Sequence, residues 1–132
     1  MTLGPKIAPP PELVWTQLQT DAETVRRYAE LTADFNPIHL DPEFAKGTPF
    51  GVPIVHGTLG LNLVIESIER TFGTLPAGVS IEVRFSRPVP VGSIIRAGGS
   101  LRDPTTGTYE IFVETHDGQR ALEGACVIGV PD

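Results

Sequence analysis

Residues 56–72 read HGTLGLNLVIESIERTF, the longest helical pattern in the chain. Leu61, Val64, Ile65, Ile68 and Phe72 recur at helical spacing, while Asn62, Glu66, Glu69 and Arg70 keep to the other side. Gly73 supplies the left-handed residue that commonly ends a helix. Everything after Gly78 reads as strand. In VSIEVRF, Val79, Ile81, Val83 and Phe85 alternate with Ser80, Glu82 and Arg84, the period of a half-buried strand. SIIRAGGSL, YEIFVETH and RALEGACVIGV continue the series, and Leu122, Cys126, Ile128 and Val130 share a face of the last. Turn chemistry in RPVPVG, DPTTG and HDGQ separates the strands. One long helix followed by four strands predicts an α+β domain, an antiparallel sheet packed on that helix. Gly60, Gly98 and Gly99 mark either close approach of helix and sheet or a bulge.

Upstream, a short strand is expected over Leu13–Leu18, and Thr20 with Glu23 has the capping-box spacing for a helix whose stripe is Ala22, Val25, Ala29 and Leu31. Arg26, Arg27 and Glu30 point outward from it. Pro37 interrupts that helix, since the residue before proline avoids helical geometry and Asn-Pro promotes a turn. Asp41 and Pro42 then restart a short one as cap and first residue.

The chain has 132 residues, which fits one domain over residues 12–132 behind a lead-in, Met1–Pro11, that carries four prolines. At 40% hydrophobic residues a full core forms without staples. Ten Lys and Arg against 16 Asp and Glu give a net charge of −6 with no basic run, which argues against nucleic acid as a partner. A single cysteine excludes an internal disulfide, and no Cys/His spacing suits zinc. Cys126 reads as a buried thiol without chemistry. The lead-in lacks the basic head and apolar run of a signal peptide, and no apolar stretch approaches the roughly 20 residues that span a bilayer. A soluble, cytoplasmic protein with no membrane partner is expected.

Asp34, Asn36 and His39 crowd six positions of a segment expected to be non-helical. A carboxylate beside an imidazole can position and deprotonate water. Spacing alone leaves a second reading, in which Asp34 closes the preceding helix and His39 is a surface residue. Gly57 opens the long helix, where unpaired N–H groups and the dipole can stabilise an oxyanion, or it merely begins the helix. His56, just before Gly57, is a candidate third catalytic group, with capping or packing at that helix start as the favoured reading, and His116 reads as a solvated turn residue.

The stretch YAELTADFNPIHLDPEFA, Tyr28–Ala45, resembles the signature of the MaoC-like (R)-specific enoyl-CoA hydratases, the hydratase 2 group. Tyr28, Leu31, Thr32, Asp34, Asn36, Pro37, Ile38, His39 and Ala45 match; Ala33 stands where that pattern usually has glycine. FGVPIVHGTLG and VRFSRPVPVGSIIRAG are similar to the family's approach to its central helix and to a following strand, so the likeness runs from about residue 12 to 130. The resemblance implies a hot-dog fold, a long central helix wrapped by an antiparallel sheet and paired as a homodimer or higher homo-oligomer; a heterodimer is also found among such proteins. It implies reversible hydration of a trans-2-enoyl-CoA to an (R)-3-hydroxyacyl-CoA, with no metal and no redox cofactor, coenzyme A being part of the substrate.

On that resemblance Asp34 and His39 are the catalytic pair, and Gly57 and Asn36 are the oxyanion-binding and loop-fixing residues. Leu61 and Ile65 are acyl-pocket candidates with plain core as the alternative; Arg84 and Arg87, flanking Ser86, are candidates for coenzyme A phosphates or a solvated face. Two other readings stand beside this one. A hot-dog thioesterase would use a carboxylate on the central helix such as Glu66 or Glu69, and a non-catalytic acyl-CoA-binding subunit would have lost Asp34 or His39, both of which are present.

Overall fold

The computed structural model describes residues 9–129. Within them the order is β1 (Thr16–Gln19), α1 (Ala22–Thr32), α2 (Pro37–Leu40), α3 (Pro42–Lys46), α4 (Gly57–Phe72), β2 (Ser80–Phe85), β3 (Ile94–Asp103), β4 (Thr108–Thr115) and β5 (Arg120–Val127). The strands form one antiparallel sheet in the order β1-β3-β4-β5-β2. The centre is thus the meander β3-β4-β5, with β1 added at one edge and β2 at the other.

Helix α4 lies across β1, β3 and β4. Its buried face is Leu59, Gly60, Leu63, Val64, Ser67 and Ile68; of the expected stripe Val64 and Ile68 are fully buried, while Leu61, Ile65 and Phe72 are half-buried, Leu61 and Phe72 still packing against the core. The expected stripe was displaced because apolarity alone overlooks two small residues. Gly60 faces Val113 with room for a Cβ, which would stand 3.7 Å from it, and the Ser67 hydroxyl is satisfied by donating to the Val14 carbonyl at 2.6 Å. Thr71 Oγ1 accepts the Val14 N–H at 2.8 Å, so the segment entering β1 is tied to α4 twice. Tyr109, Ile95, Ile111, Val113, Leu122 and Cys126 from the sheet complete the core against Val25, Val64 and Ile68.

Four local expectations are corrected. Asp21, not Thr20, caps α1 by accepting the Thr24 N–H at 2.8 Å; Thr20 is buried and its hydroxyl donates to the Ser93 carbonyl. Leu31 is 82% exposed and Ala22 is exposed, so α1 buries Val25, Tyr28 and Ala29. Between Asp34 and His39 the chain is not wholly irregular, because Asn36 caps the one-turn helix α2, which carries His39. Gly98 and Gly99 mark neither an approach of helix to sheet nor the bulge: a Cβ on Gly99 would sit 2.7 Å from the Glu110 carbonyl oxygen of the neighbouring strand β4 and one on Gly98 3.2 Å from the Trp15 ring, while the β3 register shift lies further on, between Leu101 and Asp103. Val130 and most of the lead-in fall outside the described residues; Pro10 and Pro11, within them, accept from the Tyr109 hydroxyl and the Leu101 N–H.

Candidate active site

Each functional side chain is delivered by a short-range device. Helix α1 ends at Ala33, whose φ of 56° is left-handed, and the turn there sets Asp34 beyond the last helical residue. Asp34 Oδ1 accepts the Asn36 N–H at 3.2 Å, and Asn36 Oδ1 accepts the Ile38 N–H at 3.1 Å. Asn36 therefore fixes the loop and starts α2, with Pro37 as the first residue of that turn. His39 follows, and its Nδ1 lies 2.6 Å from the Ile54 carbonyl oxygen. A carbonyl only accepts, so Nδ1 carries the hydrogen and Nε2 of the neutral ring is a bare lone pair.

That Nε2 stands 4.0 Å from Asp34 Oδ2, with the His39 side chain 12% and the Asp34 side chain 51% exposed. The separation suits a single water that bonds both groups at about 2.8 Å each. His56 converges on the same carboxylate. Its Nε2 is 3.9 Å from Asp34 Oδ2 and 3.1 Å from the Asp34 carbonyl oxygen, and its ring stacks on His39 with centroids 3.8 Å apart. His56 packs at the start of α4 and makes no side-chain cap bond there. Behind it the Tyr28 ring meets His56 edge-on; the Tyr28 hydroxyl donates to Thr58 Oγ1 and accepts from Asn62 Nδ2, which fastens α1 to α4.

Asp34, His39 and His56 offer one ligand-type atom each within 4.8 Å of one another, a spacing that metal ligands also have. The donor set fits a cation poorly. His56 Nε2 is committed as an N–H donor to the Asp34 carbonyl, so its lone pair toward the cluster is occupied.

Gly57 is the first residue of α4, where the backbone N–H has no partner within the helix. The Phe85 ring lies over it: a Cβ on Gly57 would stand 3.1 Å from two ring carbons. His56, Gly57, Gly60 and Phe85 form one wall of a cavity of about 250 Å³ that runs under α4 to Ile95, Val113 and Leu122. Arg87 edges this cavity and also a second, polar groove with Thr115, His116 and Asp117. Leu61 and Ile65 lie on the flank of α4, outside the walls of both. Arg84 is exposed on the edge strand and pairs with Glu123 at 3.6 Å. Glu66 and Glu69 are exposed on the outer face of α4, and Glu66 pairs with Arg70. His116 is exposed in the β4–β5 turn, and Cys126 is buried and free.

Sequence reasoning points to Asp34, Asn36, His39 and Gly57, favours a structural part for His56 over a third catalytic one, and gives Phe85 only a place in the strand pattern. The adjacency of His56 to Gly57 was the available signal for the first; no sequence signal links Phe85 to Gly57, because they meet only through the fold.

Residues 6–121 match the sequence profile of the MaoC like domain. A 3-hydroxyacyl-thioester dehydratase Z of Mycobacterium tuberculosis is 36% identical over 114 residues, 80% of this chain and 76% of that protein. An (R)-specific enoyl-CoA hydratase of Aeromonas caviae is 34% identical over 117 residues, 83% of this chain and 86% of that protein. The solved (R)-hydratase from A. caviae involved in PHA biosynthesis superposes with a TM-score of 0.75 at 30% identity, covering 91% of this chain and 94% of that one. The antiparallel sheet on a long helix is accordingly the hot-dog fold. By its matched span, its relatives and its architecture, the chain belongs to the MaoC-like domain family.

Proposed function

We propose that the chain is a hydro-lyase that adds water reversibly to a trans-2-enoyl-CoA, giving an (R)-3-hydroxyacyl-CoA. The observation that carries this is the convergence of Asp34 Oδ2 and His39 Nε2, 4.0 Å apart, beside the α4 N-terminus. A water held between them is oriented and made nucleophilic; its oxygen bonds to C3 and its proton passes to the pair, which titrates as a unit. The π electrons move onto the thioester oxygen, where the Gly57 N–H and the dipole of α4 stabilise the enolate-like charge. The pair then returns a proton to C2, which completes the addition. Asn36 keeps Asp34 in place through the loop bond already described.

The apolar cavity under α4 takes the acyl chain in this reading, with Ile95, Val113 and Leu122 along its depth. Leu61 and Ile65, outside the walls of that cavity, then do not line the acyl path. Arg87, which edges both the cavity and the polar groove, is the arginine assigned to the coenzyme A phosphates, ahead of the ion-paired Arg84. No metal and no redox cofactor enters the scheme; every step uses acid–base or backbone chemistry. Among the described residues no helix is long and apolar enough to cross a membrane. A cytoplasmic homodimer or higher homo-oligomer is the expected working form.

The test is a panel of trans-2-enoyl-CoA thioesters of rising length with wild type and Asp34→Asn side by side. Loss of the enoyl-thioester chromophore without free thiol, abolished by Asp34→Asn, is the expected result, and a coupled (R)-specific dehydrogenase reads the configuration. Thiol release marks a thioesterase instead, and tight acyl-CoA binding without turnover marks a binding subunit.

A further inference from the structure

The hydration scheme leaves unused the most deeply buried titratable group at the site. The His56 side chain is 2% exposed. Its Nε2–H donates to the Asp34 carbonyl at 3.1 Å, which leaves Nδ1 as the acceptor atom, and Nδ1 is buried with no hydrogen-bond partner among the described residues. A buried polar atom left bare is costly, so something the ring does must offset it. The ring makes two contacts that bear on the reacting pair. It holds the backbone of Asp34, and its face lies against His39 at 3.8 Å with 24° between the planes.

We propose that His56 is a positioning residue for the water-activating pair, an imidazole that clamps the Asp34 carbonyl with its Nε2–H and the His39 ring with its face. The proposal rests on Asp34 and His39 acting as read above. His39 is tied on one side to Ile54, and stacking removes its freedom to swing away from Asp34 on the other. The titratable and charged groups facing His56 are Asp34, His39 and Tyr28, with Arg87 on the shared cavity wall.

The decisive variants are His56→Phe, which keeps a stacking ring but has no donor, and His56→Gln, whose amide N–H can reach the Asp34 carbonyl. Crotonyl-CoA hydration is followed from pH 5 to 10, with thermal unfolding read on the same preparations. His56→Phe is expected to lower kcat by about tenfold to a hundredfold, the scale of a misplaced catalytic group. KM should stay within about threefold, and His56→Gln should recover much of the loss with the same number of ionisations in its pH–rate profile as wild type. A His56→Phe enzyme with wild-type kcat overturns the proposal. So does the disappearance of one limb of the pH profile in His56→Gln, because His56 would then handle a proton of the reaction rather than position the pair. Should His56→Phe not fold, the His56→Gln profile and rate still decide: a folded His56→Gln enzyme crippled beyond about a hundredfold also overturns it. Asp34→Asn separates the two layers: if it stays active, the assignment of the pair fails, whereas an inactive Asp34→Asn beside an unaffected His56→Phe sinks only the role of His56.

Discussion

His39 Nδ1 and the Ile54 carbonyl oxygen lie 2.6 Å apart, and Ile54 in turn donates its N–H to the Ile38 carbonyl at 3.1 Å. The segment that leads into α4 thus sets both the tautomer of His39 and the place of Gly57, so the proposed proton-handling pair and the proposed oxyanion donor share one support. An asparagine at 39 can keep the Nδ1 bond while removing everything at Nε2. His39→Asn should therefore unfold near the wild-type temperature yet lose about 10²- to 10⁴-fold in kcat/KM, the range for acid–base catalysis. Because the pair acts as a unit, Asp34→Asn with His39→Asn should be no more than about tenfold worse than the poorer single variant. Additive losses would show two independent roles.

Gly57→Ala separates stability from activity. Alanine favours a helix over glycine by about 1 kcal/mol, and α4 begins here in ordinary helical geometry. The added Cβ would meet the Phe85 ring at 3.1 Å, on the side that closes over the cavity. The ring has to yield by a few tenths of an ångström, and the backbone N–H becomes harder for a thioester to approach. A melting temperature within about 3 °C of wild type, combined with kcat/KM down by at least about tenfold, is expected. Unchanged turnover would remove Gly57 from the oxyanion site.

Ala33 holds a φ of 56° at the C-cap of α1, the one non-glycine residue with positive φ among those described. The left-handed region costs an L-residue about 1–2 kcal/mol, and the entropy gained by an unfolded chain with glycine returns about 0.4–1 of that. Ala33→Gly should then stabilise by roughly 0.5–1 kcal/mol, or about 2–4 °C, and leave kcat alone. A drop in melting temperature would show that the turn is not strained.

The same residue shows what the sequence discloses and what it hides. Ala33 departs from the glycine of the resembled pattern, and the left-handed turn is the physical reason that pattern prefers glycine. Asp34, Asn36 and His39 were legible because a cap, a proline and one helical turn act over six residues, and local chemistry of that kind is written locally. The long helix and the period-2 strands were legible for the same reason. Long-range facts were not. Nothing in the periodicity of α4 shows that Ser67 answers Val14, 53 residues earlier, so the buried face came out rotated. Nor does any local signal say that Thr20 is spent on Ser93, which handed the cap of α1 to Asp21. His56 is the same case: only the fold reveals that it closes on a carbonyl 22 residues upstream.

The cavity makes a length prediction. Gly60 faces Val113 with room for a Cβ at 3.7 Å, so Gly60→Ala fits and a larger side chain reaches into the space of about 250 Å³. Gly60→Leu should spare crotonyl-CoA and depress longer enoyl thioesters progressively, by about tenfold or more at eight carbons, while Gly60→Ala leaves the length profile as it is. A uniform loss at every length would place the acyl chain elsewhere.

Alkaline pH tests the core itself. Burial of the Cys126 thiol pushes its pKa from an ordinary 9.0 up to about 11, against a smaller opposing pull from the Tyr109 backbone. Tyr109 is raised too, by burial first and then by the charge Cys126 would carry. Since the folded chain keeps the thiol proton longer than the unfolded chain does, the native state binds more protons between the two values. The stability that follows is complete below about pH 9 and is lost as pH climbs toward 11, by roughly 2–3 kcal/mol for two pKa units. Cys126→Ala removes the titration and leaves a packing deficit independent of pH. Urea unfolding of both proteins at pH 8 and pH 11 should therefore show wild type losing the larger part of its advantage over Cys126→Ala. Parallel losses would mean that the thiol is hydrated in the native state, and that the sheet face formed by Tyr109, Leu122 and Cys126 is not closed.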